Sequence, residues 1–176
     1  MLIDFQTLTM MDLRSNPGEV LDKVAVHGNS FVIERNGQKK AFLVPISVFQ
    51  PDIPSKRLSQ ELDKLTNAEE RFRISITENK EFQIIFTEKI ENQEIGLIIL
   101  LPHGYPNKAP VIKADPIEQS TPHRWLDGSL CIFGAMETWN PGQHDLIYTL
   151  KLSRRWLRSY SLWLNSGNWP RQEEIY

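Results

Sequence analysis

Cysteine is almost absent from this sequence: Cys131 is the one thiol in 176 residues. A single thiol forms no disulfide within the chain, so the fold draws nothing from oxidation. It cannot complete a thiolate cluster either. The four histidines, at 27, 103, 123 and 144, show no ligand-pair spacing, so no metal site is expected. Long apolar runs are missing too. The longest, IGLIILLP at 95–102, falls far short of the roughly 20 residues that a helix needs to cross a bilayer. The opening MLIDFQTLTMMDLR carries an acid at position 4 and no basic run ahead of an apolar core, unlike a signal peptide. The expected location is the cytoplasm, with no membrane partner. No Gly-rich phosphate loop occurs, so neither ATP hydrolysis nor a cofactor is expected. Excess charge of one sign is also lacking: 20 basic residues stand against 22 acidic ones, which gives no whole-chain steering toward nucleic acid.

What is present is an ordinary globular composition, 40% hydrophobic and 24% charged, broken once by a marked hinge. FQPDIPSK, at 49–56, packs two prolines and an aspartate into a stretch that no regular element tolerates. The expected division is a small α/β module over 1–52 and a larger α+β domain over 56–176.

In the first part, Thr9 is placed to cap a short helix through MDLRS. Asn16-Pro17-Gly18-Glu19 reads as a second helix start, with Asn16 as cap, Pro17 in the first turn and Glu19 as the capping-box partner. Val20, Leu21 and Val24 give that helix an apolar stripe, and Gly28-Asn29 ends it. Phe31 and Ile33 then alternate with polar residues, Asn36-Gly37 marks a hairpin turn, and Ala41 to Val44 return as a strand. A helix pair with one hairpin has little core of its own and needs a partner surface or a second copy. DLRSNPGEVLDKV followed by FVIERNGQKKAFLVP resembles the N-terminal module of the Phd/YefM antitoxin family, over about residues 3–50. That resemblance implies dimerisation and helices set on operator DNA, with Arg14 and Ser15 in the region facing DNA. Arg14 reads equally as a solvated helix residue.

The larger part opens with a helix, SKRLSQELDKLTNAEE, whose Leu58, Leu62 and Leu65 make one apolar face. Three strands follow. RFRISIT is expected to turn Phe72, Ile74 and Ile76 inward, EFQIIFTE is the second strand, and EIGLIILLP is the third. Pro102, Pro106 and Pro110 bar a central strand from the next stretch, while Val111 and Ile112 offer a short fourth one. Tyr105 can pack against these prolines. Asp127-Gly128 makes a turn just ahead of Leu130-Cys131-Ile132, and Trp139-Asn140-Pro141-Gly142 closes another loop. From about Gln143 a long helix follows, with Leu146, Leu150, Leu157, Tyr160 and Leu164 on one face, widened by Trp156 and Trp163, and Asn165-Ser166-Gly167 as its stop.

YPNKAP, then H-x3-D-G-S-L-C, then W-N-P eight residues past the cysteine, is similar to the ubiquitin-conjugating (E2) family, over about residues 56–165. The resemblance implies a UBC-like fold: a helix, a four-stranded antiparallel meander, an extended segment bearing the cysteine, and a further helix. Tyr105, Pro106, Pro110, Gly128, Trp139 and Pro141 would shape the site. Cys131 would carry a ubiquitin-like protein as a thioester, received from an E1-like activating enzyme and passed to an amine or thiol. A thiolate suits that chemistry as an intrinsically strong nucleophile. Short relatives in bacteria suggest a bacterial setting.

The sequence departs from the family at one point. Where members place His-Pro-Asn, this chain reads His123-Arg124-Trp125, slightly closer to the cysteine and without the carboxamide that supports the oxyanion or its loop. His123 is left as loop support or as a proton-handling imidazole. Asp127 either caps its turn or lies near an incoming acceptor. Asp145, like His144 beside it, either orients an acceptor or owes its place to the amino end of the helix. Lys151, Arg154, Arg155 and Arg158 fall on the face opposite the leucines and read as a solvated face rather than a nucleic-acid surface. The leading expectation is a conjugating enzyme that works through Cys131, with possible pairing through the first module. The alternatives are a catalytically silent E2-like scaffold, or a DNA-binding repressor with an E2-like interaction domain.

Overall fold

The structure is a computed structural model and describes residues 4–48, 53–134 and 137–171. Phe49 to Asp52, the first half of the proline-marked hinge, lie outside the described residues. The chain divides into two compact units, Met1–Ser55 and Lys56–Tyr176.

The first unit begins with a strand that the sequence does not announce. β1 (Phe5–Thr9) runs parallel to β2 (Ser30–Arg35), which pairs antiparallel with β3 (Gln38–Leu43). Two helices, α1 (Met10–Ser15) and α2 (Pro17–Ala25), make the crossover that a parallel pair requires. Thr9 caps α1 with a full capping box to Asp12. Asn16 departs from expectation: it sits at the α2 N-cap without a side-chain bond, and Glu19 pairs instead with Lys23 at 2.6 Å. Leu21 is exposed, because the unit has room under its sheet for only a few side chains. Those are Leu8, Val20, Val24 and Phe31, flanked by Leu13 and Leu43. Asn36 and Gly37 both have positive φ (54° and 72°), which fits a hairpin turn whose twist matches its strands. β3 is exposed along most of its length, and its Phe42 ring meets Phe5 at 4.9 Å on the sheet face turned away from those buried residues.

The second unit opens with α3 (Ser55–Asn67) and continues as a sheet in the order β4 (Phe72–Ile76), β5 (Phe82–Ile90), β6 (Gln93–Leu101), β7 (Val111–Asp115), antiparallel throughout. Alternation puts Phe82, Ile84, Phe86, Ile95, Leu97, Ile99, Leu101 and Ile112 on one buried face. In register, Phe72, Ile74 and Ile76 sit opposite Phe86, Ile84 and Phe82, so their phase is the expected one. Yet Ile74 and Ile76 are exposed. β4 is the edge strand, and the cover that buries its neighbours gives out there.

The last helix, α4 (Leu146–Ser166), starts a little later than expected and stops at Gly167, whose φ of 73° is the left-handed cap that glycine permits. It buries Leu146, Leu150, Trp156, Leu157 and Tyr160, while Leu164 is exposed. Arg154 on its basic face is half-buried and ion-paired rather than simply solvated. Arg154 holds Glu70 with two 2.7 Å bonds and Glu88 at 2.9 Å, and this hydrogen-bonded guanidinium keeps the Glu70 carboxyl below the usual range.

Candidate functional site

The segment after β7 builds the site. Leu130 N–H donates to the Ile112 carbonyl at 2.8 Å, which ties the returning chain to β7. Between them stands a tight turn. Arg124 and Leu130 bridge, Trp125 N–H donates to Ser129 O at 2.8 Å, and Gly128 N–H donates to Trp125 O at 2.9 Å. Gly128 has φ 81°, and a Cβ there would lie 3.1 Å from the Arg124 guanidinium. The positive φ is what calls for glycine. Asp127 accepts from the Ser129 hydroxyl at 2.6 Å and the Ser129 N–H at 3.0 Å, and these bonds hold its carboxyl below the usual range. Both bonds end on Oδ1, so this oxygen of Asp127 serves the turn.

This turn displays what it does not bury. Trp125 is 50% exposed and Leu126 fully so. The indole also reaches back toward the cysteine: a Cβ on Gly134 would lie 3.6 Å from the Trp125 ring and 4.0 Å from Cys131 Sγ.

Cys131 is partly exposed. Its N–H donates to His123 O at 2.9 Å, and the same carbonyl accepts from Trp156 Nε1 at 3.0 Å. The His123 ring stacks on Trp169 with centroids 4.8 Å apart. The backbone at His123 therefore supports the cysteine segment, while its imidazole is engaged with the residues after α4.

The other expected site residues gather around a group the sequence reading missed. Glu61 of α3 is a buried carboxylate, 1% exposed. It accepts from the Tyr105 hydroxyl at 2.5 Å, from Leu146 N–H at 3.1 Å, and from Arg57. Arg57 in turn donates to His144 O at 2.6 Å. Tyr105 thus does more than pack on prolines: burial and the adjacent Glu61 push its hydroxyl far above the usual phenol range. Pro106 follows Tyr105 through a cis bond, its carbonyl accepts from Trp139 Nε1 at 2.6 Å, and Pro110 is buried just before β7. Trp139 meets Tyr105, Phe133 and His144 at 5.9, 5.2 and 5.6 Å, and Pro141 is half-buried beside it in sequence. Asp145 caps α4 through Tyr148 N–H at 2.9 Å and pairs with Lys64 at 2.7 Å. Burial opposes its ionisation, but the bonds from Lys64 and Tyr148 prevail and hold it low. His144 Nδ1 accepts from Asn140 N–H at 3.1 Å, and its ring stacks on Tyr148. A signal for Glu61 existed: with Leu58, Leu62 and Leu65 it falls at i, i+3, i+4 and i+7, on the inward stripe of α3.

In the first unit, Arg14 is exposed, and the Ser15 hydroxyl donates to Met11 O at 2.9 Å within α1. Among the described residues no group of three or more His, Cys, Asp or Glu is placed to hold a metal ion.

Residues 57–176 match the Type II CBASS E2 protein family, E2-CBASS. The chain belongs to that family. Its second unit accordingly has a UBC-like α+β fold, whereas the E2-CBASS match leaves out the first unit and nothing supports a Phd/YefM module there. No curated protein matches the sequence. Among solved structures, a complex of the Vps23 UEV with ubiquitin is similar at 20% identity and a TM-score of 0.44, covering 72% of this chain and 93% of that one.

The expectation of an E2-type transferase of a ubiquitin-like protein is overturned at the cysteine itself. The chain has one cysteine, and no evident thioester site surrounds it. Among the described residues, Cys131 is bonded through its backbone N–H to His123 O. The His123 ring is stacked on Trp169, Asp127 is spent on Ser129, and Asp145 on the α4 terminus. Among the described residues, the groups expected to handle a proton or orient an acceptor thus have their printed contacts with Trp169, Ser129 and Tyr148.

Proposed function

We infer that this E2-CBASS chain is a noncovalent interaction scaffold, whose second unit holds a ubiquitin-like protein through the turn at 124–130. The observation that carries this reading is the pairing of exposure with rigidity. Leu126 is fully exposed and Trp125 half so, on a turn fixed by Asp127, Ser129, Arg124 and Gly128. Covering Leu126 alone is worth about 1.5–3 kcal/mol, and a tied turn loses little entropy on binding. Titration with ubiquitin and with bacterial ubiquitin-like proteins tests it. Wild type and Cys131→Ala are expected to bind one of them equally, and Leu126→Asp to weaken that binding about tenfold or more. An adduct that thiol releases and Cys131→Ala abolishes would overturn the reading.

A second reading concerns the first unit, for which we infer pairing of two copies. Four side chains make a small core, while Phe42, 66% exposed, and Phe5, 38% exposed, meet at a tilt on the opposite sheet face. A unit this small buries a low share of its surface and is correspondingly marginal by itself. Sedimentation equilibrium should show a dimer for the full chain and a monomer for Phe42→Asp; a monomeric wild type sinks the idea.

A further inference from the structure

The residues just past α4 fold back on the cysteine segment. Ser166 Oγ accepts from Asn168 N–H at 3.2 Å and turns the chain beyond Gly167. Trp169 then lies half-buried, 4.8 Å from the His123 ring and 5.2 Å from Trp156. Those two contacts converge on one atom. The His123 carbonyl takes the Cys131 N–H at 2.9 Å and the Trp156 Nε1–H at 3.0 Å. His123 itself has φ 56°, a left-handed conformation that a non-glycine residue keeps only when its surroundings hold it there. The holding groups are the two donors to its carbonyl and the indole stacked on its ring. Trp169 braces both the ring of His123 and the indole of Trp156, so it acts on each side of the same strained residue.

We propose that Trp169 is a positioning residue, a latch that fixes His123 and through it the segment from the exposed turn to Cys131. The latch sets where Trp125 and Leu126 are presented, and to that extent it rests on the scaffold reading. Its own effect on the cysteine segment does not. With the latch closed, the Cys131 N–H is bonded and the thiol only partly exposed; with it open, the His123 carbonyl loses its support and both become more accessible.

The test compares the full-length wild type, Trp169→Ala, Trp169→Phe and His123→Ala. Cys131 amide exchange and the rate of iodoacetamide alkylation at Cys131 are read beside exchange at the core residue Leu97. Trp169→Ala and His123→Ala are each expected to raise exchange and alkylation at Cys131 about tenfold with Leu97 unmoved. Trp169→Phe, which keeps a flat ring to stack, should stay within about twofold of wild type. Unchanged rates at Cys131 in both alanine variants would overturn the latch. Equal acceleration at Cys131 and Leu97 would overturn it as well, leaving Trp169 as general packing. Where wild type binds a ubiquitin-like protein, Trp169→Ala should weaken binding about threefold to tenfold through lost preorganisation. Where it binds none, the scaffold reading fails while the exchange and alkylation rates still decide the latch.

Discussion

Replacing Glu61 with alanine is expected to lower the stability of the second unit by about 3–5 kcal/mol, the largest effect of any single polar substitution here. The carboxylate is buried and has three partners, and each loses something different. The Tyr105 hydroxyl, on a fully buried side chain, is left without its acceptor, and so is Leu146 N–H at the start of α4. An unsatisfied buried donor costs about 1–3 kcal/mol. Arg57 keeps its bond to His144 O and is part-exposed, so water compensates much of its loss. The neutral isostere Glu61→Gln retains shape and one good acceptor, and should cost about 1–2 kcal/mol. Urea unfolding followed by circular dichroism measures both. A Glu61→Ala protein as stable as wild type would mean that the α3–Tyr105–α4 junction is held by packing alone.

Trp139→Ala is expected to cost about 2–4 kcal/mol, near the lower end for a large aromatic because the ring is only half-buried. Its ring is the centre of a group with Tyr105, Phe133 and His144, and its Nε1–H satisfies Pro106 O at 2.6 Å. Trp139→Phe separates the two contributions. It keeps most of the ring contact and loses the hydrogen bond, so about 1 kcal/mol should remain. Equal losses for alanine and phenylalanine would show that the indole N–H, rather than the ring, carries the stability. The same unfolding curves read the difference.

The second unit was legible in the sequence because its landmarks are local. Proline placement at 102, 106 and 110, the Asp127-Gly128 turn, the Trp139-Asn140-Pro141 loop and the Gly167 stop each depend on residues within a few positions of one another. β1 was not legible for the opposite reason. Phe5–Thr9 is short, and what makes it a strand is parallel pairing with residues far along the chain, after two helices. Periodicity predicted the inward phase of Ile74 and Ile76 but not their exposure, since phase says which way a side chain points and not how far the cover extends. Glu61 was hidden by residue type: an acid on an apolar stripe reads as an interruption until Tyr105 and the α4 amino end are seen to meet there. At the site, a cysteine in the right landmark order implied chemistry that its neighbours do not assemble. Motif order reflects ancestry of fold, while catalysis depends on where a few polar atoms point.

The exposed margin of β4 has a consequence for solubility. Five residues, FRISI, line an open sheet edge with two uncovered isoleucines, the composition from which strands of different molecules readily join. On the other face of the same strand stands Arg73, exposed between Phe72 and Ile74, with Arg71 exposed just ahead of it. Bringing a second copy alongside would set guanidinium groups near one another, so the strand that contributes least to the core is kept from seeding aggregates by charge carried along its open edge.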